Sequence, residues 1–209
     1  MPSAALRTLL SDDEIQSIRD YAKQIYGSAE PDVGMVDYGN GHHATYLHHG
    51  GFMHDDCWRT FQQACAPLLA RMIEQVKRAA DESKLCACHE FDVLNIRCIE
   101  YHLYGPGAGL EDKGHTDLGS TLTLSALLSD PGQCTGGVFS TTERLDCSVD
   151  RAHEGTSSEN VIEHEMHRGD AVVFRSETVH NVSMVQSGHR ESLVIEWWPQ
   201  KPNKRDRFS

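Results

Sequence analysis

Two runs near the carboxyl end decide the fold class: Gly169-Asp170-Ala171-Val172-Val173-Phe174 and, beyond His180-Asn181-Val182, Ser192-Leu193-Val194-Ile195-Glu196-Trp197. Gly169-Asp170 reads as a tight turn into a β-branched apolar segment, and Ser192 to Trp197 as a final apolar strand. Working outward, Gly136-Gly137-Val138-Phe139 begins another strand-like segment. Leu122, Leu124 and Ala126 alternate with Thr121, Thr123 and Ser125, the period of an extended chain. Val93 to Leu103 is rich in alternating and β-branched residues and ends at the turn-forming Tyr104-Gly105-Pro106-Gly107. Between these strands Thr141 to Asn160 is polar and without period, so a long loop is expected. Several short strands with turns between them, and no alternating helices, exclude a βαβ sheet and indicate a β-sandwich or barrel.

The first 90 residues read differently. Ser11-Asp12-Asp13-Glu14 is a capping box, and Ile15, Ile18, Ala22 and Ile25 follow on one helical face up to Gly27, a stop signal. A loop rich in Gly and His is expected from Gly34 to Gly51. Trp58, Phe61, Cys65, Leu68, Leu69, Met72, Ile73 and Val76 then recur at helical spacing, with Pro67 either kinking this run or beginning a second helix. The chain thus divides into a helical flanking region (1–90), a β core (91–200) and a short basic tail (201–209) that reads as a solvated end.

Composition sets further bounds. The formal charge of −12 argues against nucleic acid or an anionic membrane surface as partner, since both need a positive field. No signal peptide and no apolar run of membrane-spanning length are visible, so the cytoplasm is the expected compartment. Seven cysteines at irregular spacings, with no Cys-x-x-Cys, are expected to be reduced and mostly buried thiols.

Chemistry enters with His115-Thr116-Asp117. On an extended strand, residues two apart face the same way roughly 6.5–7 Å apart, so a nitrogen and an oxygen donor can converge on one ion. His180 supplies a third donor, completing the two-histidine, one-carboxylate set that suits iron(II) with open positions. His-x-Asp alone is a weak signal. With 13 His and 16 Asp in 209 residues, about one such triplet arises by chance, and a second, His54-Asp55-Asp56, is present. That one enters a helix-patterned run, where Asp55 or Asp56 serves better as a cap. Arg190 and Ser192 strengthen the first triplet: two apart on a strand, they place a guanidinium fork and a hydroxyl on one face, suited to anchoring a carboxylate.

In order and separation, Tyr104-Gly105-Pro106-Gly107, His115-Thr116-Asp117, Gly136 to Phe139, Gly169 to Phe174, His180 and Arg190-Glu191-Ser192-Leu193 resemble the 2-oxoglutarate/iron(II) dioxygenases of the prolyl 4-hydroxylase-like type. The resemblance spans about Phe91 to Trp198; Leu10 to Glu14 and Tyr46 to Gly51 are similar to the family's flanking helical region more weakly. It implies a mainly β fold with flanking helices (α+β) around a double-stranded β-helix, or jelly-roll, core. It further implies iron on His115, Asp117 and His180, 2-oxoglutarate held through its far carboxylate by Arg190 with Ser192, and ascorbate as reductant. The cosubstrate-binding tyrosine often found between Gly107 and His115 in that family has no match here, which leaves Tyr101 or Tyr104 for the role. The implied reaction is hydroxylation of an unactivated C–H in a peptide, amino acid or small molecule, with release of succinate and carbon dioxide. Asp117 retains the carboxylate that related halogenases replace, and Glu191 to Pro199 lacks the second arginine of nucleic-acid demethylases.

Other histidines are weaker candidates. His42-His43 and His48-His49 could bind metal adventitiously or edge the active-site mouth but read better as exposed loop residues, and His164-Glu165-Met166-His167 is one residue short of the His-Glu-x-x-His of zinc proteases. Two rival readings remain: a cupin-like metalloenzyme that does not use 2-oxoglutarate, and a non-catalytic binding protein on the same barrel.

Overall fold

The computed structural model describes residues 3–28, 35–47, 55–112, 114–144 and 159–201. In chain order the elements are β1 (Ala4–Leu6), α1 (Asp12–Ser28), β2 (Met35–Gly39), β3 (His42–Tyr46), α2 (Asp55–Glu82), α3 (Cys88–Phe91), β4 (Asn95–Tyr104) and β5 (Leu122–Leu127). They continue with β6 (Cys134–Gly136), β7 (Phe139–Arg144), β8 (Glu159–Glu163), β9 (Ala171–Arg175), β10 (Val179–Val182), β11 (Val185–Gly188) and β12 (Arg190–Trp198). The large sheet runs β1-β9-β5-β12-β4-β3-β2, opposed by the smaller sheets β10-β7-β8 and β11-β6. The described pairings are antiparallel, and the whole is the expected jelly roll with flanking helices.

The large sheet buries both faces, and strand parity assigns each residue to one of them. Leu122, Leu124 and Ala126 of β5, Leu193, Ile195 and Trp197 of β12, and Ala171 and Val173 of β9 share one core with Ile15, Ile18 and Ala22 of α1 and Leu69, Met72 and Val76 of α2. The opposite face carries Thr123, Ser125, Glu100, His102, Tyr104, Ser192 and Glu196, which line a cavity.

Local signals explain how the helices dock. The capping box forms as expected, with the Ser11 N–H donated to Glu14 Oε2 at 2.8 Å and the Glu14 N–H to Ser11 Oγ at 3.3 Å. Glu14 also accepts from Arg71 of α2, whose guanidinium reaches the Leu9 carbonyl as well, so the start of α1 is tied to α2. α2 is one helix with Pro67 inside it, and no second helix begins there. Its described length is not apolar enough to cross a membrane, and neither is any other described helix.

Three expectations need correction. The Gly- and His-rich stretch from residue 34 is not all loop: β2 and β3 form a hairpin whose second strand pairs with β4. The first 90 residues therefore contribute three strands to the large sheet as well as helices. The expected loop 141–160 is shorter, because residues 140–144 pair with 159–163 as a two-stranded ladder. Thr141 and Thr142 are β-branched, and a strand with one polar, solvated face has no apolar run to announce it. Residues 145–158, His48, His49 and His54 lie outside the described residues. Cys65, Cys86, Cys88, Cys98 and Cys134 are thiols, three of them buried.

Candidate active site

His115 and Asp117 sit on extended chain between β4 and β5, outside any regular strand. Backbone bonds take the place of a ladder. The His180 N–H donates to the His115 carbonyl at 3.2 Å, and the Asp117 N–H donates to the Ser176 carbonyl at 2.9 Å. The first of these joins the triplet to β10, which delivers His180 opposite Thr141 of β7. Just beyond Asp117, Arg97 holds the loop through the Leu118 carbonyl at 2.7 Å and Ser120 Oγ at 2.9 Å, itself backed by Glu196.

The three side chains expected as ligands converge. His115 Nε2 lies 3.5 Å from Asp117 Oδ1, His180 Nε2 lies 3.6 Å from Asp117 Oδ2, and the two imidazoles meet edge to face. Two donors each about 2.1 Å from one ion and at right angles would be about 3 Å apart, so the group needs little adjustment to share a cation. The tautomer also fits: His180 Nδ1 is 3.1 Å from the Thr178 carbonyl and is its donor, which leaves Nε2 as a lone pair. Asp117 is buried and accepts from the Thr123 hydroxyl at 2.8 Å. The donor set, two imidazoles and one carboxylate on one face, suits iron(II). A second convergent group, Cys98, Glu100 and Glu196, is less suited to an ion, because Glu196 is already engaged by Arg97 and Ser120.

All three candidate ligands line a cavity of about 480 Å³, together with Tyr104 and Ser192. Arg190 stands beside it, fully buried, and lines an adjoining cavity of about 340 Å³ whose wall includes Phe139, a residue common to both. Its Nε donates to the Gly137 carbonyl at 2.9 Å, and its guanidinium lies 5.6 Å from the centre of the Tyr104 ring. Nη1 is buried without a hydrogen-bond partner among the described residues. Burial lowers the Arg190 pKa, although the neighbouring Tyr104 opposes the shift. A buried guanidinium with an unsatisfied N–H is costly unless an anion completes it, so the position fits a carboxylate ligand.

The two candidate tyrosines separate by strand parity. Tyr104 pairs with Arg190 and faces the cavity, where burial raises its pKa. Tyr101 pairs with Leu193 and packs against the helix-covered core; burial, with Glu191 close by, raises its pKa too. The structure does not bring Tyr101 to the site.

Sequence reasoning missed three cavity residues. His42, expected in an exposed loop, is 7% exposed and lies on β3 against β4. Its Nε2 is 2.9 Å from His102 Nδ1, and His102 Nε2 is 3.0 Å from Glu100 Oε2. Glu100, His102 and Tyr104 alternate along β4, so their common face was visible in the sequence once the strand was assigned. His164, by contrast, is tied to the small sheet by Thr141 Oγ1 at 2.9 Å, and the His167 side chain is largely exposed.

No family model and no curated protein matches the chain. Solved structures do. An oxidoreductase of the 2OG-Fe(II) oxygenase family from Burkholderia pseudomallei is similar with a TM-score of 0.60 at 14% identity, over 97% of this chain and 87% of that one. A Pseudomonas putida prolyl-4-hydroxylase gives a TM-score of 0.55 at 16% identity, over 95% and 92%. The non-heme alpha ketoglutarate dependent epimerase SnoN from nogalamycin biosynthesis gives 0.56 at 14%, over 99% and 81%. The chain thus shares, over nearly its whole length, the fold of a 2OG-Fe(II) oxygenase, a prolyl-4-hydroxylase and an alpha ketoglutarate dependent epimerase.

Proposed function

We propose that the protein is an iron(II)- and 2-oxoglutarate-dependent oxygenase. One observation carries the reading: His115, Asp117 and His180, separated by up to 65 positions in sequence, present their donor atoms to one another at a cavity bordered by a buried, incompletely satisfied arginine. In this reading the three residues hold iron(II). Arg190, with the Ser192 hydroxyl on the same face of β12, holds the far carboxylate of 2-oxoglutarate, and Tyr104 packs beside it. Iron with 2-oxoglutarate would supply oxidation of a substrate C–H by dioxygen, one oxygen atom going to the substrate and the other to succinate, with release of carbon dioxide.

The residues around the metal have distinct tasks. Thr178 fixes the His180 tautomer, Thr123 orients the Asp117 carboxylate, and Arg97 anchors the loop that follows Asp117. Phe139 and Phe174, both buried, contact the His180 ring and shield that side from water. Hydroxylation of a peptide, amino acid or other small molecule, with ascorbate maintaining the iron, is the reaction we assign.

The test is succinate release together with substrate consumption by purified protein in air with iron(II) and ascorbate, with and without 2-oxoglutarate, across a panel of peptides, amino acids and small metabolites. Turnover that requires 2-oxoglutarate supports the assignment. Turnover that ignores 2-oxoglutarate indicates a cupin-like metalloenzyme, and failure to bind iron at all indicates a non-catalytic protein on this fold.

A further inference from the structure

Another wall of the same cavity carries a buried polar array that the metal and the cosubstrate do not use. Glu100 and His102 project from β4 and His42 from β3, each less than a tenth exposed. The chain of contacts runs Glu100 Oε2 to His102 Nε2 at 3.0 Å, then His102 Nδ1 to His42 Nε2 at 2.9 Å.

Two proton arrangements satisfy this chain, and the one with a single hydrogen on His102 makes His42 an acceptor. A carboxylate only accepts, so with Glu100 ionised the His102 Nε2 must carry the hydrogen. With that single hydrogen on His102, its Nδ1 is a lone pair, which accepts from His42 Nε2–H. The remaining nitrogen, His42 Nδ1, is left bare. It has no hydrogen-bond partner among the described residues. Tyr38 and Tyr104 stack on the His42 ring with centroids 4.7 and 4.1 Å away, so the ring is held in place. Burial is the largest cause that pushes the His42 pKa down, to about 3, so the ring is neutral at working pH. The described lining of the cavity includes Glu100, Glu111, Asp112, Asp117 and Glu196 and no Lys or Arg, while Arg97 pairs with Glu196 from behind and Arg190 stands next to Tyr104.

We propose that His42 Nδ1 is the specificity-determining acceptor of this cavity, taking a hydrogen bond from a hydroxyl or ammonium group on a substrate that carries no negative charge at that end. A neutral imidazole with its other nitrogen committed rejects a carboxylate, which has no hydrogen to donate, and the surrounding acidic groups reinforce that choice. Glu100 and His102 are positioning residues: they act by fixing which His42 nitrogen is bare. Calling the ligand a substrate rests on the oxygenase reading; the acceptor itself does not.

The experiment uses the full chain, labelled with nitrogen-15 at histidine. Its imidazole resonances report which nitrogens carry hydrogen, and three probes of one shape are titrated in: benzyl alcohol, benzylamine and benzoate. The expected result is an unprotonated His42 Nδ1 that shifts with the alcohol and the amine and ignores benzoate. His42→Phe, which keeps an aromatic ring between the tyrosines, should weaken alcohol and amine binding by about tenfold, the loss of one hydrogen bond. A protonated Nδ1 in the resting protein, or three probes bound alike, overturns the proposal. Should His42→Phe fail to fold, the probe ranking and nitrogen shifts of the unaltered protein decide by themselves. Manganese(II) and 2-oxoglutarate binding, followed in parallel by water proton relaxation, separates the two readings. If both bind while the probes are not distinguished, only the acceptor assignment fails; if neither binds while His42 responds as expected, only the oxygenase reading fails.

Discussion

The Thr123 hydroxyl lies 2.8 Å from Asp117 Oδ2 and 2.8 Å from Ser176 Oγ, all three groups being buried. In the proposed iron site Asp117 would therefore meet the metal with one oxygen already held from behind. Thr123→Val keeps the shape and removes the hydroxyl, and should lower affinity for cobalt(II) or iron(II) by about 10–100-fold. Asp117→Ala, His115→Ala and His180→Ala should each cost far more, since repacking cannot replace a missing donor. Metal titration of the four variants, with circular dichroism to verify folding, checks the order. Equal losses across the series would mean that Thr123 acts on the fold rather than on the ligand.

Arg190 offers a sharper test of the cosubstrate. Arg190→Ala should raise the apparent Michaelis constant for 2-oxoglutarate while iron stays bound, because it removes a buried charge-assisted fork. Arg190→Lys should rescue only in part, since an ammonium lacks the planar pair of N–H donors. Identical 2-oxoglutarate titrations for the unaltered protein and Arg190→Ala would remove the role.

The candidate ligands were legible because His115 and Asp117 are distinctive donors two residues apart and His180 a further donor, and the proposed carboxylate anchor because Arg190 and Ser192 share strand parity. A β-sandwich or barrel was legible from short apolar strands with turns between them, and the jelly roll from the family resemblance of the motifs. What escaped the sequence depended on pairing between distant strands. β3 joins the large sheet through backbone hydrogen bonds to β4, and nothing in Gly34 to Gly51 names that partner. His42 was consequently assigned to solvent when it lies beneath Tyr38 and against Tyr104. The choice between Tyr101 and Tyr104 needed the register of β4 on β12, which places Tyr104, and not Tyr101, beside Arg190. β7 and β8 were hidden for a different reason: their residues are polar, so the ladder leaves no hydrophobic period to read.

Gly137 links the strand motif to the proposed cosubstrate site. Its φ is +67°, and an added Cβ would lie 3.0 Å from Arg190 Cδ and 3.2 Å from Val185 Cγ2. Gly137→Ala should therefore destabilise the protein by about 1–2 kcal/mol from backbone strain alone. It should also displace the arginine whose Nε its carbonyl accepts, raising the dissociation constant for 2-oxoglutarate more than that for the metal. Parallel calorimetric titrations would separate the two effects, and equal weakening of both would assign the residue a purely structural role.

The turn before β9 makes a prediction about acid stability. Asp170 is buried, which by itself would raise its pKa, but the backbone N–H groups of Thr8 and His167 and the Arg7 guanidinium outweigh burial and lower it. Arg7 is more than half exposed, so the two backbone donors matter most. A carboxylate whose folded pKa is depressed adds stability above its unfolded value of about 4, and that stability is lost as pH falls through the folded value. Asp170→Asn should cost about 1–3 kcal/mol at pH 7, because a neutral amide oxygen is a weaker acceptor and its NH₂ faces donors. The gap between variant and unaltered protein in urea unfolding should be constant from pH 7 to about 5 and shrink below about 4, as Asp170 itself becomes protonated. A gap that persists unchanged at the lowest pH where the fold survives would show that packing, rather than the charge, ties β1 to this turn.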